Sequence, residues 1–155
     1  MRFDTVCYRW PIPVPDKSSN TVVEREKAVL DVVLIEDSKL LREMLADMLS
    51  SVDKIAVVAQ ADDQDTGLRL VEDHQPDVVI VDLELSVGSG IGVLSALNDD
   101  RGRYGDPKAV VFTNHGSRVL RRRCEDLGID GFFDKSYQLD ELIDYIQSER
   151  DARLH

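Results

Sequence analysis

Asp77-Val78-Val79-Ile80-Val81-Asp82-Leu83 is the stretch whose reading decides the fold. Its β-branched apolar residues follow one another without helical spacing, the pattern of a strand buried on both faces. The run delivers a carboxylate, Asp82, at its carboxyl end. In open parallel sheets the carboxyl ends of the strands form the crevice where ligands bind, so an Asp there faces a site. A strand-end Asp can equally well cap the loop that follows. What the other strands end in decides between the two.

Working towards the N-terminus, Asp62 or Asp63 opens a helix with Leu68 and Val71 inward, ended before Pro76. Ile55 to Ala59 reads as a strand. Leu41, Met44, Leu45, Met48 and Leu49 recur at helical spacing up to about Ser51, with Ser38 placed as the cap. Before them, Ala28 to Ile35 is a further buried-strand run, and it ends in Glu36-Asp37.

Towards the C-terminus, Gly88, Gly90 and Gly92 suggest a mobile loop, Ile91 to Leu97 a helix, and Asn98 to Pro107 a charged connector. Ala109 to Phe112 is a strand ending in Thr113. Ser117 to Leu127 reads as a helix with Val119, Leu120, Cys124 and Leu127 on its apolar face, stopped at Gly128. Ile129 to Phe133 is a fifth strand, followed by Asp134-Lys135-Ser136. A last helix runs from Leu139 to about Ser148, burying Leu139, Leu142, Ile143 and Ile146. Strand and helix alternate five times, which predicts an α/β fold: a five-stranded parallel sheet with helices on both faces.

The 155 residues suffice for one domain with a full core. The expected organisation is an extension over 1–27, a folded domain over 28–150 and a tail over 151–155. Pro11, Pro13 and Pro15 alternate with Ile12 and Val14, so the extension reads as an extended arm rather than a helix. No apolar run matches a membrane span and no signal peptide is apparent, so membrane insertion is not expected. Cys7 and Cys124 are far apart without metal-ligand spacing, which suits a reducing cytoplasm. A net charge of −11 argues against direct DNA binding.

Four strand ends therefore carry Glu36-Asp37, Asp82, Thr113 and Lys135, and a parallel sheet brings all of them to one edge. Three carboxylates so placed repel one another unless a hard cation bridges them. Magnesium typically uses one or two protein carboxylates together with a phosphate oxygen. Thr113 offers a hydroxyl and Lys135 a point charge to phosphoryl oxygens. These are the parts needed to form an aspartyl phosphate.

Over about residues 30 to 150 the chain resembles the receiver domains of two-component response regulators, which have a flavodoxin-like fold. The acidic pair after the first strand is Glu36-Asp37, the phosphoacceptor after the third is Asp82, the hydroxyl after the fourth is Thr113, and the lysine after the fifth is Lys135. The resemblance implies phosphotransfer to Asp82 from a histidine kinase or histidine phosphotransferase. The expected cofactor is Mg2+, with Mn2+ as a substitute, held by Glu36, Asp37 and Asp82. It implies a switch through Thr113 and Phe132, and tuning of dephosphorylation by Glu84 and His115. A protein target or a second copy is expected to meet the surface of the fourth helix, fifth strand and last helix. Arg118, Arg121, Arg122 and Arg123 make that helix a dense basic patch; the alternative is a solvated face paired to Glu125 and Asp126. With no output domain in view, a single-domain regulator is expected, acting by contact and not as an enzyme.

Three positions depart from the family's pattern. Ser136 follows the lysine where Pro with a cis bond is frequent, Ser86 replaces a usual Pro, and Asn114 replaces a small residue where crowding of the phosphoryl site is expected. Two rival readings remain. Asp82-Leu-Glu84 is similar to the Asp-x-Asp motif of haloacid-dehalogenase-like phosphatases, and a receiver-like module could act without phosphorylation. The glycines at 88, 90 and 92 fall short of a dinucleotide fingerprint, whose last position is Val93.

Overall fold

A computed structural model describes residues 28–154. The extension over 1–27 lies outside the described residues. Five strands alternate with helices: β1 (Leu30–Ile35), α1 (Lys39–Ser50), β2 (Ile55–Ala61), α2 (Gln64–His74), β3 (Val78–Val81), α3 (Gly90–Asp99), β4 (Lys108–Thr113), α4 (Arg118–Asp126), β5 (Gly131–Asp134) and α5 (Leu139–Leu154). All neighbours pair in parallel, in the order β2-β1-β3-β4-β5. The expected α/β architecture is therefore present.

The residues of each strand alternate between two cores. Val33, Ile35, Val79, Val81 and Val111 face one side, where Val71 of α2, Val93, Leu94 and Leu97 of α3 and Cys124 of α4 cover them. Val32, Leu34, Val78, Ile80, Val110 and Phe112 face the other, under Leu45 and Leu49 of α1 and Leu142 and Ile146 of α5. Burial on both faces is why β3 is apolar throughout. After β1 the chain turns to one side of the sheet, to β2; from β3 onward it builds the other. That reversal leaves a crevice beyond the carboxyl ends of β1 and β3.

Side chains set the helix starts. Ser38, Asp63, Ser89 and Ser117 each accept a hydrogen bond from a backbone N–H three residues on. Gln75, in the left-handed region, ends α2 ahead of Pro76.

Five expectations need correction. The first strand begins at Leu30, not Ala28. The connector over 98–107 contains a helical turn, Arg101–Tyr104, whose Tyr104 joins the core. Val119 is 82% exposed: Leu120, Cys124 and Leu127 form the inward stripe, and one residue's turn of about 100° carries Val119 off it. The last helix runs past Ser148 to Leu154, so residues 151–154 are not a tail. Arg150 donates to the carbonyl of Asp53 and Arg153 pairs with Asp77 at 2.9 Å.

The glycine loop is held, not loose. Gly90 N–H donates to the carbonyl of Leu83, and a Cβ at Gly90 would collide with the carbonyl of Asp82. Gln64 accepts from the N–H of Ser89. Close backbone approach explains the glycine at 90, and a left-handed φ of 78° the one at 88.

Candidate functional site

β1 and β3 run side by side, Ile35 opposite Val81, so the residues that follow them, Glu36 and Asp82, meet at the crevice. Both side chains are nearly buried, at 4% and 5% exposed, and fully buried Thr113 ends the neighbouring strand β4. β5 lies beyond β4, and Lys135 directly follows it. The Lys135 ammonium reaches back across the site: Nζ stands 2.7 Å from Asp82 Oδ2 and 2.7 Å from Glu36 Oε1.

The remaining bonds hold this geometry. Glu36 Oε2 accepts from the N–H of Ser38 at 2.9 Å, and its carbonyl accepts from Arg42. Asp82 Oδ1 accepts from the N–H of Glu84 at 3.3 Å. Thr113 Oγ1 accepts from the N–H of His115 at 3.2 Å, and its carbonyl accepts from the N–H of Lys135. Burial pushes the Glu36 carboxyl above its ordinary range, against the bonds from Lys135 and Ser38. Burial works to lower Lys135, but its bonds to Asp82 and Glu36 outweigh this and hold the ammonium above its usual value.

Glu36, Asp37 and Asp82 can each offer a carboxylate oxygen, all within 4.8 Å of one another. Lys135 faces the two buried carboxylates, Glu36 and Asp82, and Asp37 adds a third on the exposed side, which leaves two negative charges at the cleft. A divalent cation with oxygen ligands matches that charge and that donor set. Asp37 is the least buried of the three.

The structure thus brings together every strand-end residue that the sequence singled out. Glu84 and His115 lie beside the same mouth and pair with each other at 2.9 Å. Phe132 is buried in β5, its ring under the guanidinium of Arg121 at 5.3 Å. That contact was missed, because spacing along α4 says nothing of which strand lies beneath it. No cis peptide bond occurs among the described residues. Ser136 uses the N–H that a proline lacks, donating to Asp134 Oδ1 at 2.7 Å. Asn114 is exposed, its Oδ1 taking the Ser136 hydroxyl at 3.4 Å, rather than wedged into the site. No described helix is long and apolar enough to cross a membrane.

Comparison with known proteins gives the same picture. The family model for the response regulator receiver domain matches residues 32–147. The chain is 32% identical over 128 residues to protein-glutamate methylesterase/protein-glutamine glutaminase 2 of Nitratidesulfovibrio vulgaris, covering 81% of this chain and 33% of that protein. It is 31% identical over 116 residues to the transcriptional regulatory protein PdtaR of Mycobacterium tuberculosis, covering 75% of this chain and 54% of that one. The chain spans about half the length, or less, of these relatives. Among solved structures, a two-component response regulator of the LuxR family from Aurantimonas sp. SI85-9A1 is similar at 26% identity and a TM-score of 0.70, covering 81% of this chain and 87% of that one. The response regulator domain of Thermotoga maritima CheB shares the fold at 20% identity and a TM-score of 0.70, covering 79% of this chain and 97% of that one. Fold, strand-end residues and family match agree: the chain belongs to the response regulator receiver domains of two-component systems.

Proposed function

We propose that the chain accepts a phosphoryl group on Asp82 from a phosphohistidine of a histidine kinase or histidine phosphotransferase, and that phosphorylation alters a protein-binding surface on α4, β5 and α5. The observation that carries this reading is the convergence of Lys135 on both Asp82 and Glu36 at the β1/β3 crevice. An oxygen of the Asp82 carboxylate attacks phosphorus, the phosphorus–nitrogen bond breaks, and the imidazole leaves with the bonding pair and takes up a proton. Lys135 already stands within a hydrogen bond of that carboxylate and offers its charge to a phosphoryl oxygen as negative charge builds there. Thr113, whose oxygen accepts from His115, keeps its own proton to donate to another.

Glu36, Asp37 and Asp82 are the residues that would hold Mg2+, or Mn2+ in its place. The bound cation would supply charge neutralisation between the carboxylates and the incoming phosphoryl group. The reaction is a single stoichiometric transfer followed by hydrolysis, rather than turnover of a phosphoester. Incubation with acetyl phosphate and Mg2+ should add one phosphoryl mass to the intact chain, and Asp82→Asn should abolish the addition. Equal labelling of the Asn variant would refute the assignment, and continuous phosphate release from a phosphoester would favour a phosphatase.

A further inference from the structure

We propose that Gln64, at the start of α2, is a positioning residue for phosphotransfer: it holds the loop that follows β3 and, through that loop, the direction of the Asp82 carboxylate. The inference deepens, and rests on, the reading of Asp82 as phosphoacceptor. The loop over 83–89 leaves Asp82 directly. Its first half is seated by the buried side chains of Leu83 and Leu85. Its second half has no such anchor. Ser86, Val87 and Gly88 are all exposed, and no proline stiffens the chain between them.

Gln64 supplies the anchor from a different element. Its backbone N–H donates to the carbonyl of Val87 at 3.2 Å, and its side-chain Oε1 accepts from the N–H of Ser89 at 3.0 Å. One residue therefore holds the loop on both sides of Gly88. The fit is close: a Cβ added at Gly88 or at Gly92 would run into the Gln64 side chain. Gly92 lies inside α3, where glycine is a poor helix former. Its presence there is explained by the room that the glutamine needs.

From Ser89 the hold passes to Asp82 in two steps. Ser89 faces Glu84 in an isolated antiparallel bridge, and the N–H of Glu84 donates to Asp82 Oδ1 at 3.3 Å. Lys135 holds the other oxygen, Oδ2, at 2.7 Å. The carboxylate is thus fixed at both ends, on one side by an ammonium and on the other by an amide that belongs to the loop. Releasing Ser89 from Gln64 frees that amide, and Oδ1 loses its fixed direction while the bond to Lys135 stays. Attack on phosphorus requires the carboxylate oxygen in line with the leaving group, so a looser carboxylate reacts more slowly. Gln64 acts through the loop and not on the reacting atoms.

Three substitutions in the full chain test this. Gln64→Ala removes the side chain, Gln64→Met keeps its length but offers only a thioether, a poor acceptor, and Gln64→Glu keeps an oxygen at the same reach. All are good helix formers, so α2 and the urea midpoint should change little. The labelling rate with acetyl phosphate at fixed Mg2+ is followed by intact mass, and exchange of the Glu84 amide proton by NMR. Gln64→Ala and Gln64→Met should label about five-fold or more slowly and exchange faster at Glu84. Gln64→Glu should stay within about two-fold of the parent in both. Labelling of the Ala and Met variants at the parent rate, or a Glu variant as slow as the Met one, would overturn the proposal. Should Gln64→Ala fail to fold, the Met and Glu variants decide between them. If the parent takes no phosphoryl group, the phosphoacceptor reading fails by mass alone, and Glu84 exchange in the unmodified chain still judges whether Gln64 fixes the loop.

Discussion

His115 Nε2 lies 2.9 Å from Glu84 Oε1, which ties the loop after β4 to the loop after β3 beside the mouth of the site. His115 stands two positions beyond buried Thr113, and Glu84 two beyond buried Asp82. A pair so placed restricts the approach of water to whatever Asp82 carries. Replacing both with Ala should change the dephosphorylation rate several-fold while leaving phosphorylation intact. An unchanged rate in a phosphate-release time course rejects their role.

Lys135 is the charge that lets two buried carboxylates share one crevice. Lys135→Met should therefore destabilise the metal-free chain by about 3 kcal/mol, as expected when one partner of a buried pair is lost. Millimolar Mg2+ should raise the melting temperature of the parent by binding the native state, and should raise that of Lys135→Met further. Asp37→Ala should blunt both effects. A parent melting curve indifferent to Mg2+, with Asp37→Ala equally unmoved, argues against a metal at Glu36, Asp37 and Asp82.

Gly90→Ala tests how the Asp82 backbone is held. Gly90 is the first residue of α3, where helix propensity alone would let alanine stabilise by less than the about 1 kcal/mol of a helix interior. The added methyl meets the carbonyl of Asp82 and the Cα of Leu83, so the net result should be a loss of about 1–3 kcal/mol in urea unfolding. Slower labelling of Asp82 should accompany it. A stabilised variant would show that the loop gives way easily.

Tyr145 gives the chain an alkaline limit. Burial, then the charges of Glu149 and Asp130, push its phenol well above the ordinary tyrosine value. A group whose value is raised in the fold stabilises fully below its unfolded value and loses that contribution as pH climbs. Stability should accordingly fall once the pH passes about 10. In Tyr145→Phe, which keeps the ring contact with Phe133, urea unfolding across that range should show a shallower decline.

The core of the fold was legible because β3 and its neighbours are buried on both faces, which writes an apolar run into the sequence. Legible for the same reason were the strand-end residues, since parallel strands place their carboxyl ends together. Features fixed by polar pairing were not. Arg150 and Arg153 extend α5 through contacts with Asp53 and Asp77, which no apolar periodicity announces. Val119 looked inward because a nine-residue helix offers too few turns to tell one flank of the stripe from the other. At Gly90 a glycine was read as looseness, where the cause is the nearness of another segment's backbone.

α4 is fastened to the sheet by little: Cys124 is its one fully buried side chain, whereas α3 buries Gly90, Val93, Leu94 and Leu97. Amide protons along a helix so thinly docked exchange with solvent by brief local openings, long before the amides of β1 and β3, which await global unfolding. The chain thus has a built-in ordering of motions, in which its most basic helix can lift, sample other seats and return while the carboxylate crevice stays assembled. Among the described helices deuterium uptake should run fastest at Arg118 to Asp126, and among the strands slowest at Val32 to Ile35. A partner that seats α4 would act by closing those openings, adding protection where the free chain has least.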